Sequence, residues 1–112
     1  MKYNLEERVT KLAENIINFC KEIPKNNITF PLIDQLIRSG TSIGANYTEA
    51  NGGASRKDFK NKIVIAKKEA METKYWLRLV ANSEYILKDK CRILWQETHE
   101  IVLIFSKIIQ NT

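Results

Sequence analysis

Four stretches of this chain repeat apolar residues at alternating steps of four and three, and none shows clear alternation at steps of two. That spacing marks one face of an α-helix, so the chain must fold as helices packed through apolar seams. The first stretch covers about 4–23, with Leu5, Val9, Leu12, Ile16, Phe19 and Ile23 in register. Asn4 with Glu7 three residues later predicts its N-cap, and Pro24 its stop. The second covers about 30–51 on Ile33, Leu36, Gly40, Ile43, Tyr47 and Ala50. Thr29 reads as its N-cap, Pro31 is tolerated in the first turn, and Asn51-Gly52-Gly53 predicts a left-handed stop. The third covers about 56–82 on Phe59, Ile63, Ala66, Ala70, Thr73, Leu77 and Val80, and Ser55 with Asp58 predicts its capping box. The fourth covers about 89–110 on Cys91, Leu94, Thr98, Ile101, Phe105 and Ile108, with Asp89 as expected N-cap.

Four helices joined by short loops predict an all-α, up-and-down antiparallel four-helix bundle, a single domain over residues 1–112. Four glycines and two prolines are too few turn-formers for a many-stranded sandwich or barrel. Gly40 and Gly44 each cost about 1 kcal/mol of intrinsic helicity relative to alanine, so packing must hold the second helix. Their segment lacks the lysine and preceding strand of a phosphate loop and reads instead as a small-residue seam for a close neighbour. The longest apolar run, residues 101–105, is far too short to span a bilayer, and no apolar leader opens the chain. Cys20 and Cys91 form no disulfide framework, and core packing suits Cys91 on its seam. A reduced, cytoplasmic protein without a membrane role is the expectation.

The fourth helix carries more apolar surface than one seam uses. Trp95, Val102 and Ile109 form a second stripe at steps of seven, and five consecutive apolar residues at 100° each cover the whole circumference. One reading is a deeply buried helix. The favoured reading is a subunit interface through Trp95, Val102, Leu103 and Ile109, because a four-helix bundle has no fully surrounded position.

The net charge of +5 is unevenly placed. Residues 1–23, 24–54 and 83–112 are each neutral, whereas residues 55–82 set eight cations against Asp58, Glu69 and Glu72. Lys60, Lys67 and Lys74 fall in one row on the third helix, with Lys57 and Arg78 beside it and Lys68 on the outer face. Such a stripe suits a phosphate backbone, since each neutralised phosphate releases counterions. The alternative is a solvated helix surface that keeps the protein soluble.

Enzyme signatures are missing. Bundles often hold carboxylate-bridged metals, and Glu49, Glu69 and Glu72 make that worth testing, but His99 is the sole histidine and cannot supply two Glu-x-x-His pairs. Arg38 is a better partner for Glu69 or Glu72. No nucleophile motif stands out, and no metal or cofactor is expected. Tyr75, Trp76 and Trp95 could stack bases, although helical aromatics more often pack cores or interfaces.

The string from Gln35 to Ala50, with Arg38, Ser39, Ser42, Ala45, Asn46 and Glu49 at fixed spacing, continues in Lys57-Asp58-Phe59 and in Ala66 to Leu77. It resembles the bacterial four-helix bundle family, also called the 23S ribosomal RNA intervening-sequence protein family. The resemblance implies an up-and-down bundle assembled as a homopentameric ring. Some members are encoded within large-subunit rRNA genes. Others resemble the accessory protein of diversity-generating retroelements, a basic barrel that binds nucleic acid and a reverse transcriptase. Arg38, Ser42, Asn46, Glu49, Glu69 and Glu72 match the family's polar positions and read as an inter-helix hydrogen-bond network. Many relatives carry proline where this chain has Gly44, so a kink there is not implied.

The sequence therefore points first to a non-enzymatic, oligomeric protein that binds RNA or DNA without strong sequence preference through Lys57, Lys60, Lys67, Lys68, Lys74 and Arg78. The second reading is a scaffold whose ring engages a protein partner, with the lysines serving solubility. The third is an enzyme or metal protein built on the glutamates.

Overall fold

The computed structural model describes residues 4–112; residues 1–3, including the Lys2 counted in the charge balance, lie outside the described residues. Four helices follow one another: α1 Leu5–Glu22, α2 Thr29–Asn51, α3 Arg56–Ser83 and α4 Lys88–Gln110, with one 3-10 turn, Tyr85–Leu87, before α4. Each helix runs beside its two neighbours around the bundle, the arrangement of an up-and-down antiparallel bundle, and across the core the rings of Tyr47 and Phe105 lie 6.1 Å apart. α3 makes broad seams with α2 and α4, while α1 and α4 meet along a thin one. The molecule measures 44 × 30 × 19 Å.

The four expected seams meet in one core. Val9, Leu12 and Ile16 of α1, Leu36 and Ile43 of α2, Ile63 and Leu77 of α3, and Ile101 and Phe105 of α4 are all buried. Each such aliphatic or aromatic side chain contributes about 1.5–3 kcal/mol on leaving water. The small-residue seam admits α1: a methyl at Gly40 would meet Ile16, and one at Gly44 would touch Val9.

The expected caps divide. Asn4 Oδ1 accepts the Glu7 backbone N–H at 2.7 Å, and Ser55 Oγ accepts that of Asp58 at 3.1 Å. Thr29 does not cap α2. Its side chain is buried and donates to the Pro24 carbonyl at 2.5 Å, while Asn26 Oδ1 accepts the backbone N–H groups of Ile28 and Thr29. Asn26 wins because a carboxamide just before the first turn reaches two orphan donors at once. The left-handed stop after α2 is also absent: Gly52 has φ −91°, and no described residue has positive φ. Gly53 N–H donates instead to the Ala50 carbonyl, so the last turn closes by tightening. Asp89 is not the N-cap of α4; the 3-10 turn leads straight into the helix and leaves Asp89 in its first turn.

Ion pairs clamp the thin α1–α4 seam. Arg8 donates to Glu97 through Nε at 3.0 Å and Nη2 at 2.8 Å, and also to Glu100 at 2.9 Å. Lys90 pairs with Glu22 nearer the other end. Lys25 Nζ donates to the carbonyls of Cys20, Lys21 and Ile23, satisfying the C-terminal end of α1.

The apolar surplus of α4 is largely absorbed within the chain. Val102, expected at a subunit interface, is only 7% exposed and belongs to the core. The expected seam of α4 at Cys91, Leu94, Thr98, Ile101 and Phe105 is itself buried, and Val102 widens it beside Ile101. Trp95 and Ile109 are half-buried against the same core. Leu103, at 55% exposure, does face outward, and so does Ile93 at 66%.

Candidate nucleic-acid interface

The flanks of α3 separate its charges. On the α2 side, Arg38 holds two of the three acids of α3: it pairs with Glu69 at 3.1 Å and with Glu72, while its Nε donates to Gln35. The indole N–H of Trp76 donates to Glu72 at 2.9 Å, and this bond, opposed by burial and helped by Arg38, holds that carboxyl below its ordinary range. Two turns nearer the start of α3, Lys62 pairs with Glu49 at 2.7 Å. On the α4 side, Lys74 sets its ammonium 2.9 Å from Nδ1 of His99 and 4.4 Å from the Trp95 ring centre. An ammonium only donates, so Nδ1 accepts and the ring proton sits on Nε2. Lys60 and Lys67, fourteen and seven residues before Lys74, share its row, and Arg78 follows one turn on. From Lys60 to Arg78 the row is about 27 Å long.

Among the described residues, Lys57, Lys60, Lys67, Lys68, Lys74 and Arg78 have no carboxylate within 4.0 Å. Lys57, Lys60, Lys68 and Arg78 are exposed, while Lys67 and Lys74 are half-buried. The row is therefore not uniform: Lys74 is folded onto α4, and its charge is presented beside an aromatic ring.

The six polar positions do not form one network. Arg38, Glu69 and Glu72 make one group, and Glu49 with Lys62 makes another. Ser42 donates to the Arg38 carbonyl and Asn46 to the Ser42 carbonyl, both bonds running along α2 itself. The buried polar link between α2 and α3 is a different pair. The hydroxyls of Ser39 and Thr73 lie 2.9 Å apart, both fully buried, and Thr73 also donates to the Glu69 carbonyl at 2.8 Å. A serine adjoining Gly40 on a core seam was the available signal for Ser39.

Sequence reading also missed two cations of the basic edge. Lys88 and Arg92 belong to a neutral segment, but Glu97 and Glu100 of that segment turn to Arg8 on the α1 side. Lys88 and Arg92 stand with Arg78 around a hollow between α3 and α4, Arg92 in a loose, exposed pair with Asp89 at 3.6 Å and Lys88 donating to the Tyr85 hydroxyl at 2.6 Å. Leu77, Ala81 and Cys91 floor it, and Trp95 forms one wall. Among the described residues no three His, Cys, Asp or Glu side chains converge as metal ligands. Nor, among those residues, is any helix long and apolar enough to cross a membrane.

The sequence pattern described as 23S rRNA-intervening sequence protein matches residues 2–107. This chain belongs to that family. A crystal structure of a protein with unknown function from the S23 ribosomal protein family of Bacteroides thetaiotaomicron shares the fold, with a TM-score of 0.87 and 39% identity. The match covers 95% of this chain and 98% of that one. Among curated proteins none matches.

Proposed function

We propose that this 23S rRNA-intervening sequence family protein is a non-enzymatic oligomer that grips the phosphate backbone of RNA or DNA along the α3–α4 edge, without strong sequence preference. The supporting observation is the segregation of charge on α3: Arg38 on one flank takes up Glu69 and Glu72, while Lys60, Lys67, Lys74 and Arg78 on the other have no carboxylate partner. Cations without carboxylate partners are the ones whose counterions a polyanion can release. Titrations of duplex DNA, single strands and structured RNA at stepped salt concentration test the reading. Affinity should fall steadily with salt, and the triple variant Lys57→Glu, Lys60→Glu, Lys67→Glu should abolish binding while leaving helical circular dichroism unchanged. An absence of salt-dependent binding at low ionic strength overturns it.

The oligomer is part of the same proposal. Leu103 and Ile93 leave apolar surface on the outer face of α4, and the family resemblance implies a ring of five. Light scattering at micromolar concentration should give a multiple of the 13.0 kDa chain, and Leu103→Lys should lower it. Native co-purification after nuclease treatment distinguishes a protein partner, such as a reverse transcriptase, from contaminants bridged by nucleic acid.

A further inference from the structure

The hollow between α3 and α4 has the composition of a site for one unpaired base. Its volume is about 190 Å³, its floor is apolar, and Arg78, Lys88 and Arg92 rim it. Trp95 supplies an aromatic wall whose orientation is set from behind. The His99 ring stacks on Trp95 with centroids 5.1 Å apart and planes 16° from parallel. Lys74 Nζ lies 4.4 Å from the indole centre and 2.9 Å from His99 Nδ1. Two groups that touch each other must occupy the same side of the indole. The hollow is built from the two turns of α4 before Trp95, at Lys88, Cys91 and Arg92, and from the two turns of α3 after Lys74, at Leu77, Arg78 and Ala81. The opposite face of Trp95 is therefore the face that borders it.

Resting on the nucleic-acid reading above, we propose that this hollow takes an unstacked base of a single-stranded nucleic acid against Trp95, with Arg78, Lys88 and Arg92 holding the flanking phosphates. An aromatic face beside a cationic track is how sequence-tolerant single-strand binding is built, because every base has a π-face. The continuity of the hollow with the row of Lys60 and Lys67 favours a strand over a free nucleotide, since cations along about 27 Å are of use only to a ligand with several phosphates. A duplex keeps its bases paired and reaches only the cations.

Fluorescence anisotropy separates these cases with four ligands at matched salt: a thymidine or uridine oligonucleotide of about twelve residues, an abasic strand of equal length, a duplex, and thymidine monophosphate. The base-bearing strand should bind about tenfold or more tighter than the abasic one. Trp95→Leu should erase that difference while leaving abasic binding unchanged, and Trp95→Phe should restore part of it, each with helical circular dichroism intact. Arg78→Ala with Arg92→Ala should weaken both strands and reduce the slope of log affinity against log salt by about 1.4. Equal, salt-dependent binding of base-bearing and abasic strands overturns the base site while leaving backbone binding in place. A mononucleotide that binds as tightly as the strand also overturns it. Failure of every oligonucleotide to bind overturns both proposals.

Discussion

Gly40 lies so close to Ile16 that a methyl group at position 40 would stand 2.7 Å from Ile16 Cδ1 and 3.1 Å from its Cγ2. Ile16 is fully buried, so its branched carbons have little room to retreat. Gly44 differs: a methyl there would find Val9 Cγ2 at 3.4 Å, an ordinary contact. Gly40→Ala therefore sets an overpacking cost of about 1–3 kcal/mol against a propensity gain of about 1 kcal/mol, and should destabilise on balance. Gly44→Ala keeps most of the gain and should stabilise by up to about 1 kcal/mol. Urea unfolding of both variants checks the opposite signs; a stabilised Gly40→Ala protein would show that Ile16 has room to yield.

The Ser39–Thr73 pair predicts an asymmetry. Ser39→Ala leaves the Thr73 hydroxyl bonded to the Glu69 carbonyl, so the loss should be only about 0.5–1.5 kcal/mol. Thr73→Val keeps the side-chain shape but leaves Ser39 with only a 3.5 Å contact to the Leu36 carbonyl. A buried hydroxyl without a good partner costs about 1–3 kcal/mol. Denaturation midpoints should rank wild type, Ser39→Ala, then Thr73→Val.

Glu72 makes stability depend on acid. The Trp76 indole N–H is the largest cause of its lowered pKa, burial opposes it, and Arg38 adds to the lowering. The unfolded chain binds this proton more readily than the folded one. The contribution is therefore complete above the ordinary carboxyl value of 4.5 and is lost as pH falls through the lower folded value. Trp76→Phe should move the Glu72 titration, followed by carboxyl NMR, upward toward that value. Glu72→Gln should flatten the acid limb of the stability curve below pH 4.5.

Both thiols should be inert in the folded protein. Burial pushes Cys20 up to about 11, with Lys25 opposing, and pushes Cys91 to about 11, with Cys20 adding to the rise. At pH 8 roughly one thiol in a thousand is then ionised, and the thiolate is the reactive form. Disulfide-reagent titration at pH 8 should be slow until denaturant is added, when two thiols should react. Rapid native reaction of either would mean that the thin α1–α4 seam opens readily.

Helix positions were legible because they depend on local chemistry. The four seams, the Asn4 and Ser55 caps and the close approach at Gly40 follow from residue type at 3.6-residue spacing, which needs no knowledge of neighbours. The Arg38 pairing with Glu69 and Glu72 was readable too, since adjacent antiparallel helices bring those faces together. The errors arose where two equally local solutions competed. Asn26 displaced Thr29 as the cap of α2, and a 3-10 turn displaced Asp89 at the start of α4. Val102 was misplaced because it adjoins Ile101 on the helix surface, and only packing decides how wide an apolar stripe the neighbours cover.

The sequence by itself determined that this chain is a four-helix bundle with its excess charge in residues 55–82, because periodicity and charge are properties of a line. Only the tertiary structure decided which charges share a surface. A segment sum counts Lys88, Arg92, Glu97 and Glu100 together, although α4 presents Glu97 and Glu100 to Arg8 and sets Lys88 and Arg92 beside Arg78. The basic edge and the hollow against Trp95 exist because a helix splits one neutral segment into oppositely charged faces, and packing then chooses which face joins which.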